Sequence, residues 1–177
     1  CMGCGACASV CPSGAMSYAY PRMADLGLRI KTLLSTYRKA GGEQACLLIH
    51  NATDGREWVA KLCRCGKGLP ARVIPFEAFH IASLGIDAML GAIAYGAAQV
   101  VIASSGTEAP EYLVSLKRQM SYAQQILSAL GYGDTHFRLI EADDVAALEA
   151  AVWSLPQAPA TCLTATFNWS NEKRTTL

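Results

Sequence analysis

Short apolar segments alternate with amphipathic segments over residues 45–155. Strands that are apolar along their whole length suit a parallel sheet covered on both faces, and the intervening helices then serve as right-handed crossovers. The sequence therefore predicts an α/β fold with about four parallel strands and helices on both faces. The predicted strands are 45–49, 72–74, 99–103 and 137–140, and the predicted helices are 54–62, 83–97, 110–130 and 144–155.

The residue pattern divides the chain into four parts. Residues 1–21 are rich in cysteine, and residues 22–42 carry apolar side chains three or four positions apart, which predicts a linker helix. Residues 43–156 hold the β/α units and are expected to form a flavodoxin-like domain. Residues 157–177 are expected to be a C-terminal tail or linker in which Trp169 is exposed.

Four of the eight cysteines lie within the first eleven residues. Cys1, Cys4, Cys7 and Cys11, followed by Pro12, have the spacing C-x2-C-x2-C-x3-C-P of bacterial iron–sulfur proteins. Small residues between them let the backbone wrap closely around a cluster. Structural zinc sites usually present two separated ligand pairs, and disulfides need an oxidising compartment. The run therefore favours a [4Fe–4S] cluster with these four thiolates as its metal ligands.

Residues 1–18 resemble bacterial-type 4Fe–4S ferredoxins, because the residues after Cys11 look like the strand that follows their last ligand. In two-cluster ferredoxins the fourth cysteine of such a run binds the other cluster. The resemblance thus implies that Cys1, Cys4 and Cys7 hold one cluster and that Cys11 reaches another. The second run is missing here. We favour a longer parent protein that supplies a second cluster; the alternative is one cluster completed within this chain.

Residues 45–153 resemble the delta-subunit family of methyl-viologen-reducing hydrogenases, which is also found fused to heterodisulfide reductases. The resemblance lies in the strand 71–74, in the helix and strand 86–102, and in the helix 116–131. That family binds a [2Fe–2S] cluster through cysteines at its strand ends. The corresponding stretches here, 50–51, 75–77 and 104–106, contain no cysteine. The resemblance implies a docking domain that has lost this cluster.

Two further cysteines, Cys63 and Cys65, form a C-x-C pair. Its spacing would strain a disulfide, and two thiols do not complete a metal site alone. A helix-terminal loop is the favoured interpretation, with a ligand role as the alternative. Cys46 is expected to be a small buried apolar side chain. Cys162 lies in the C-terminal part, where the sequence does not indicate its burial.

Polar residues follow two of the predicted strands, at 50–54 and 104–108. Ligands of open parallel sheets bind beyond the carboxyl ends of the strands, so chemistry is expected at these two segments. Residues 104–107 resemble an anion-binding turn for a phosphate, with helix capping as the favoured alternative. The pair Asp143-Asp144 is expected to cap a helix. No nucleophile accompanies His50, so no catalytic triad is predicted.

The composition excludes several classes of partner. The net charge is +1, which gives no field for holding nucleic acid or anionic lipid. The longest uncharged apolar stretch, residues 88–98, is well short of the roughly 20 residues of a membrane span. No signal peptide is visible. With 52% apolar and 16% charged residues, we expect a core-rich cytoplasmic protein without a transmembrane segment.

These features predict an iron–sulfur electron-transfer protein. It would join a 4Fe–4S module to an α/β docking domain and serve a larger oxidoreductase of the hydrogenase or formate dehydrogenase type. Its partner would be a redox protein or oxidoreductase subunits. The alternative is a non-redox binding or scaffold domain in which the cluster is structural or lost. We expect an electron-transfer component rather than an autonomous enzyme, because no acid–base or nucleophile constellation emerges.

Overall fold

A computed structural model describes residues 1, 3–133, 135–161 and 164–176 of the chain. Within those residues, none of the helices combines the length and the apolar character needed to cross a membrane. A short 3-10 turn at Ile81–Ser83 lies between the second strand and the helix that follows it. The remaining elements are α1 Ala6–Val10, α2 Met23–Lys39, β1 Cys46–Asn51, α3 Asp54–Cys65, β2 Val73–Ala78, α4 Ile86–Ala94, β3 Gln99–Ser104, α5 Pro110–Ala129, β4 Phe137–Glu141, α6 Val145–Trp153 and α7 Lys173–Thr176.

The predicted α/β fold is confirmed. All four strands are parallel, in the order β2-β1-β3-β4, which is the order of flavodoxin-like sheets. The helix predicted over 83–97 is shorter than expected. The backbone is extended at Leu84 and Gly85, which separates the 3-10 turn from α4, and Gly96 follows the end of α4 in the left-handed region at φ 102°.

The alternation of side chains along β1 supplies two cores, one on each face of the sheet. Leu47 and Ile49 pack with α2, α4 and α5, whereas Cys46 and Leu48 pack with α3 and α6. Helix α2 belongs to the first core through three buried side chains, Leu26, Ile30 and Leu34.

Residues 164–176, here called the C-terminal strap, cross the face formed by α2 and α4. Trp169 is only 4% exposed, so the expectation that this residue is exposed was wrong. Its indole lies where side chains are missing from two helices, at Gly27 of α2 and Gly91 of α4. Its ring also stacks on Tyr95 at 5.6 Å between centroids. The two glycines make a slot that an aromatic side chain fills.

Candidate metal centre

The cysteine segment, residues 1–17, turns through two glycines before its short helix. Gly3 and Gly5 have φ values of 68° and 81°, a region that side chains other than glycine rarely adopt. Gly5 also lies against the 3-10 turn, where an added Cβ would be 2.6 Å from the Cβ of Ser83. The hydroxyl of Tyr18 donates to the Gly3 carbonyl at 2.7 Å and ties the two ends of the segment together.

The four cysteines of the run are free thiols spread around this turn and helix. Cys1 and Cys7 are exposed, while Cys4 and Cys11 are half-buried. Cys7 lies in α1, and Cys11 directly follows the helix as its C-cap. All four side chains are therefore at least partly accessible to a cluster.

Hydrogen bonds favour the thiolate form of two of these cysteines. The Ser13 hydroxyl, 3.4 Å from the Cys11 sulfur, and the backbone N–H of Met16 lower the pKa of the Cys11 thiol to about 6. Burial raises the pKa of the Cys4 thiol, but the Tyr112 hydroxyl and backbone N–H groups outweigh burial and leave that pKa below its usual value. Thiolates are the form that binds iron, so both shifts suit metal ligation.

The donor set fits a [4Fe–4S] cluster by its chemistry. Four thiols are present with the spacing that such clusters use, and two of them have a lowered pKa. In the described part of the chain, no three Cys, His, Asp or Glu side chains already converge as a metal site. The fit therefore rests on donor type and spacing.

Two elements at the carboxyl end of the sheet contact the cysteine segment. The 3-10 turn follows β2, and Tyr112 lies in the first turn of α5, which follows β3. The Tyr112 hydroxyl lies near the thiol of Cys4 and lowers its pKa. The His80 ring packs edge-on against the Tyr112 ring at 5.7 Å. Sequence reasoning missed Tyr112, because nothing local to an amphipathic helix indicates that one of its tyrosines reaches a cysteine more than a hundred residues away.

Both polar segments expected at the strand ends meet beside this point, around a buried carboxylate. Glu108, 7% exposed, accepts hydrogen bonds from Asn51 Nδ2 and Ser104 Oγ, each at 2.7 Å, and from the backbone N–H of Ser105 at 3.2 Å. The chain therefore supplies its own anion to donors that resemble a phosphate site. The expected helix capping by residues 104–107 was wrong, since α5 begins after Ala109 without a side-chain cap.

Two other candidate residues, His50 and Asp144, form hydrogen bonds with nearby backbone groups. His50 is buried, its Nδ1 donates to the Asn51 carbonyl at 2.9 Å, and burial lowers its pKa. The predicted cap is confirmed at Asp144, which accepts from the Ala147 N–H at 2.7 Å.

The remaining cysteines do not join the run. Cys46 is fully buried as expected, and burial raises the pKa of its thiol to about 11. Cys63 and Cys65 are free and exposed in the last turn of α3, rather than in the loop after it. Cys162 lies outside the described residues.

Comparison with known proteins gives one match to a family. The 4Fe-4S binding domain family matches residues 1–17, which include all four cysteines of the run. No curated protein in the comparison matches the chain. The chain therefore carries a 4Fe–4S binding segment beside an α/β domain, and the resemblance of residues 45–153 to hydrogenase delta subunits stays a proposal.

Proposed function

We propose that the chain is an electron-transfer module in which Cys1, Cys4, Cys7 and Cys11 bind a [4Fe–4S] cluster. The observation that carries the proposal is the four-cysteine run, matched as a 4Fe–4S binding segment and packed on the carboxyl end of an α/β domain. The lowered pKa values of the Cys4 and Cys11 thiols, which favour their thiolate forms, support the proposal.

The bound cluster would accept and release one electron at a time. The chain's own residues would bind it through the thiolates and keep the backbone close to it at Gly3 and Gly5. The Tyr112 hydroxyl, which lies near the Cys4 thiol and lowers its pKa, would donate to the ligating sulfur. Such hydrogen bonds withdraw charge from the sulfur and raise the potential of a cluster.

The proposed partner is a redox protein or a subunit of a larger oxidoreductase, of the hydrogenase or formate dehydrogenase type. This class of partner is proposed from the sequence resemblance of residues 45–153 to a delta subunit, for which the comparison found no matching protein. Large apolar side chains are also exposed on and beside the cysteine segment, at Val10, Met16, Tyr20 and Phe79, where a partner would approach the cluster.

The organisation of the chain follows the same proposal. Residues 1–21 would be the cluster segment and 43–156 the docking domain. Residues 22–42 would be a connecting helix that packs into the core of that domain, and 157–177 the C-terminal part. A second cluster would be held by a longer parent protein. The proposed location of the protein is the cytoplasm.

A binding or scaffold domain with a structural cluster is the second candidate. The network around Glu108 favours it over catalysis, because the donors at the strand ends are already engaged by the chain itself. The two candidates differ in one property: only an electron carrier must be reduced and reoxidised without losing its cluster.

The test is anaerobic reconstitution of the full chain, followed by iron and sulfide analysis and a redox titration. We expect about four iron and four sulfide per chain and reversible reduction. Cys7→Ser is expected to lose the visible chromophore. Cys63→Ser, a matched exposed helical cysteine, is expected to keep it. Full iron content in Cys7→Ser, or none in the unmodified chain, would contradict the ligand assignment. A cluster destroyed on reduction would support the scaffold.

A further inference from the structure

The C-terminal strap joins the helical face of the α/β domain to the cysteine segment. Lys31 of α2 donates to the carbonyl of Phe167 at 2.9 Å and to Oδ1 of Asn168 at 2.8 Å. The hydroxyl of Tyr95, the residue that follows α4, also donates to the Phe167 carbonyl, at 3.0 Å. Further along, Oδ1 of Asn171 accepts from the backbone N–H of Ala24 at the start of α2. The strap is thus fixed before it reaches residues 1–17.

Lys173, the first residue of α7, makes the last of these contacts. Its Nζ donates to the carbonyls of Ala8 at 3.1 Å and of Ser9 at 2.8 Å. These carbonyls belong to α1, between Cys7 and Cys11, and α1 has no basic residue in its own last turn. An ammonium group supplied from the far end of the chain therefore occupies the negative end of this helix.

The surroundings of Lys173 fix its side chain at that point. Gly14 leaves room for it, since an added Cβ there would be 3.3 Å from the Cβ of Lys173. Two other charged residues, Arg22 and Asp87, line the same cavity as Lys173. Lys173 is the one of these three with hydrogen bonds to carbonyls of α1.

We propose that Lys173 is a positioning residue for the cluster: it fastens α1 between two ligand cysteines and stabilises the reduced cluster by its positive charge. The inference rests on the proposed function. Four thiolates around a [4Fe–4S] core leave a net negative charge, and reduction adds one electron from the reductant without breaking a bond. A nearby cation is attracted more strongly to the reduced form and raises the reduction potential.

The test compares the full chain with three variants after anaerobic reconstitution. Lys173→Met removes the charge at similar length, Lys173→Arg keeps it, and Lys61→Met removes an exposed lysine on α3, on the other face of the sheet. The readouts are iron content, the rate of iron release to a chelator, and the midpoint potential followed by electron paramagnetic resonance with dithionite as the one-electron donor.

We expect Lys173→Met to have a lower potential than the unmodified chain, with Lys173→Arg restored towards it and Lys61→Met unchanged. If Lys173→Met releases iron before it can be titrated, faster release that Lys173→Arg reverses supports the same role. An unchanged potential together with an unchanged release rate overturns the inference and leaves the proposed function standing. Absence of iron from the unmodified chain overturns both.

Discussion

Adding one methyl group at Gly91 should destabilise the chain only while Trp169 is present. A Cβ on Gly91 would lie 2.5 Å from Cε2 and 2.7 Å from Nε1 of the Trp169 indole, and closer still to Cζ2. The indole is rigid and buried, with the Tyr95 ring stacked on it. The added methyl group therefore requires movement of the ring or of α4.

The expected free energies follow from two opposing effects. Overpacking a core costs about 1–3 kcal/mol, and a rigid neighbour places Gly91→Ala towards the upper end. Replacing glycine by alanine inside a helix returns about 1 kcal/mol. We therefore expect Gly91→Ala to lower the free energy of unfolding by about 1–2 kcal/mol. Trp169→Ala removes a buried aromatic side chain and should cost about 3–5 kcal/mol.

The double variant separates these effects. With the indole gone, Gly91→Ala should stabilise the Trp169→Ala chain by up to about 1 kcal/mol, a coupling of roughly 2–3 kcal/mol. Urea unfolding followed by far-ultraviolet circular dichroism measures all four chains. Gly27→Ala gives an independent check, since its Cβ would lie 2.5 Å from Cδ2 of the same indole. Equal destabilisation by Gly91→Ala in both backgrounds would refute the slot.

Two further predictions concern the carboxyl end of the sheet and the cysteine segment. Glu108→Ala should lower the free energy of unfolding by about 1–3 kcal/mol for each buried donor left unpaired. Urea unfolding unchanged from that of the unmodified chain would contradict this. In the metal-free chain, alkylation of Cys11 should rise with pH around a midpoint near 6, because only the thiolate reacts. Ser13→Ala should move that midpoint to higher pH in peptide mapping, with the buried Cys46 unmodified as the internal control; an unmoved midpoint would show that Ser13 does not lower the Cys11 pKa.

The strand and helix pattern was predictable because it is local. The central strands β1 and β3 are short and buried along their whole length, and the edge strands β2 and β4 keep short apolar runs between polar residues. Each helix repeats its apolar positions within a few residues, so neighbouring residues carry the information. The meeting of the segments 50–54 and 104–108 was predictable for a topological reason, since neighbouring parallel strands end at the same edge. The sequence did not predict that these segments surround the carboxylate of Glu108. From the sequence alone, the donors of residues 104–107 resemble a phosphate-binding turn, whereas in the structure Ser104 and Ser105 donate to Glu108.

The residues that support the cysteine segment could not be found in the same way. The spacing of the four cysteines predicts their chemistry because ligands of one cluster lie close together in sequence. Tyr112 and the strap approach that segment from more than a hundred residues away. The slot for Trp169 likewise needs one glycine from α2 and one from α4. No periodicity within either helix indicates that both glycines face the same indole.

Glu108 and the cysteine segment both lie at the carboxyl end of the sheet, but they differ in exposure and in the groups that donate hydrogen bonds to them. The Glu108 carboxylate is buried and takes the N–H and hydroxyl groups at the ends of β1 and β3, so those donors are closed to an external anion. The cysteine segment instead keeps its sulfurs at least partly exposed and receives donors from outside itself, the Tyr112 hydroxyl at Cys4 and the Lys173 ammonium at α1. Donors fixed by a folded domain need no reorganisation when negative charge increases beside them. This difference favours a domain that carries an electron on its surface over one that binds a phosphate in its sheet.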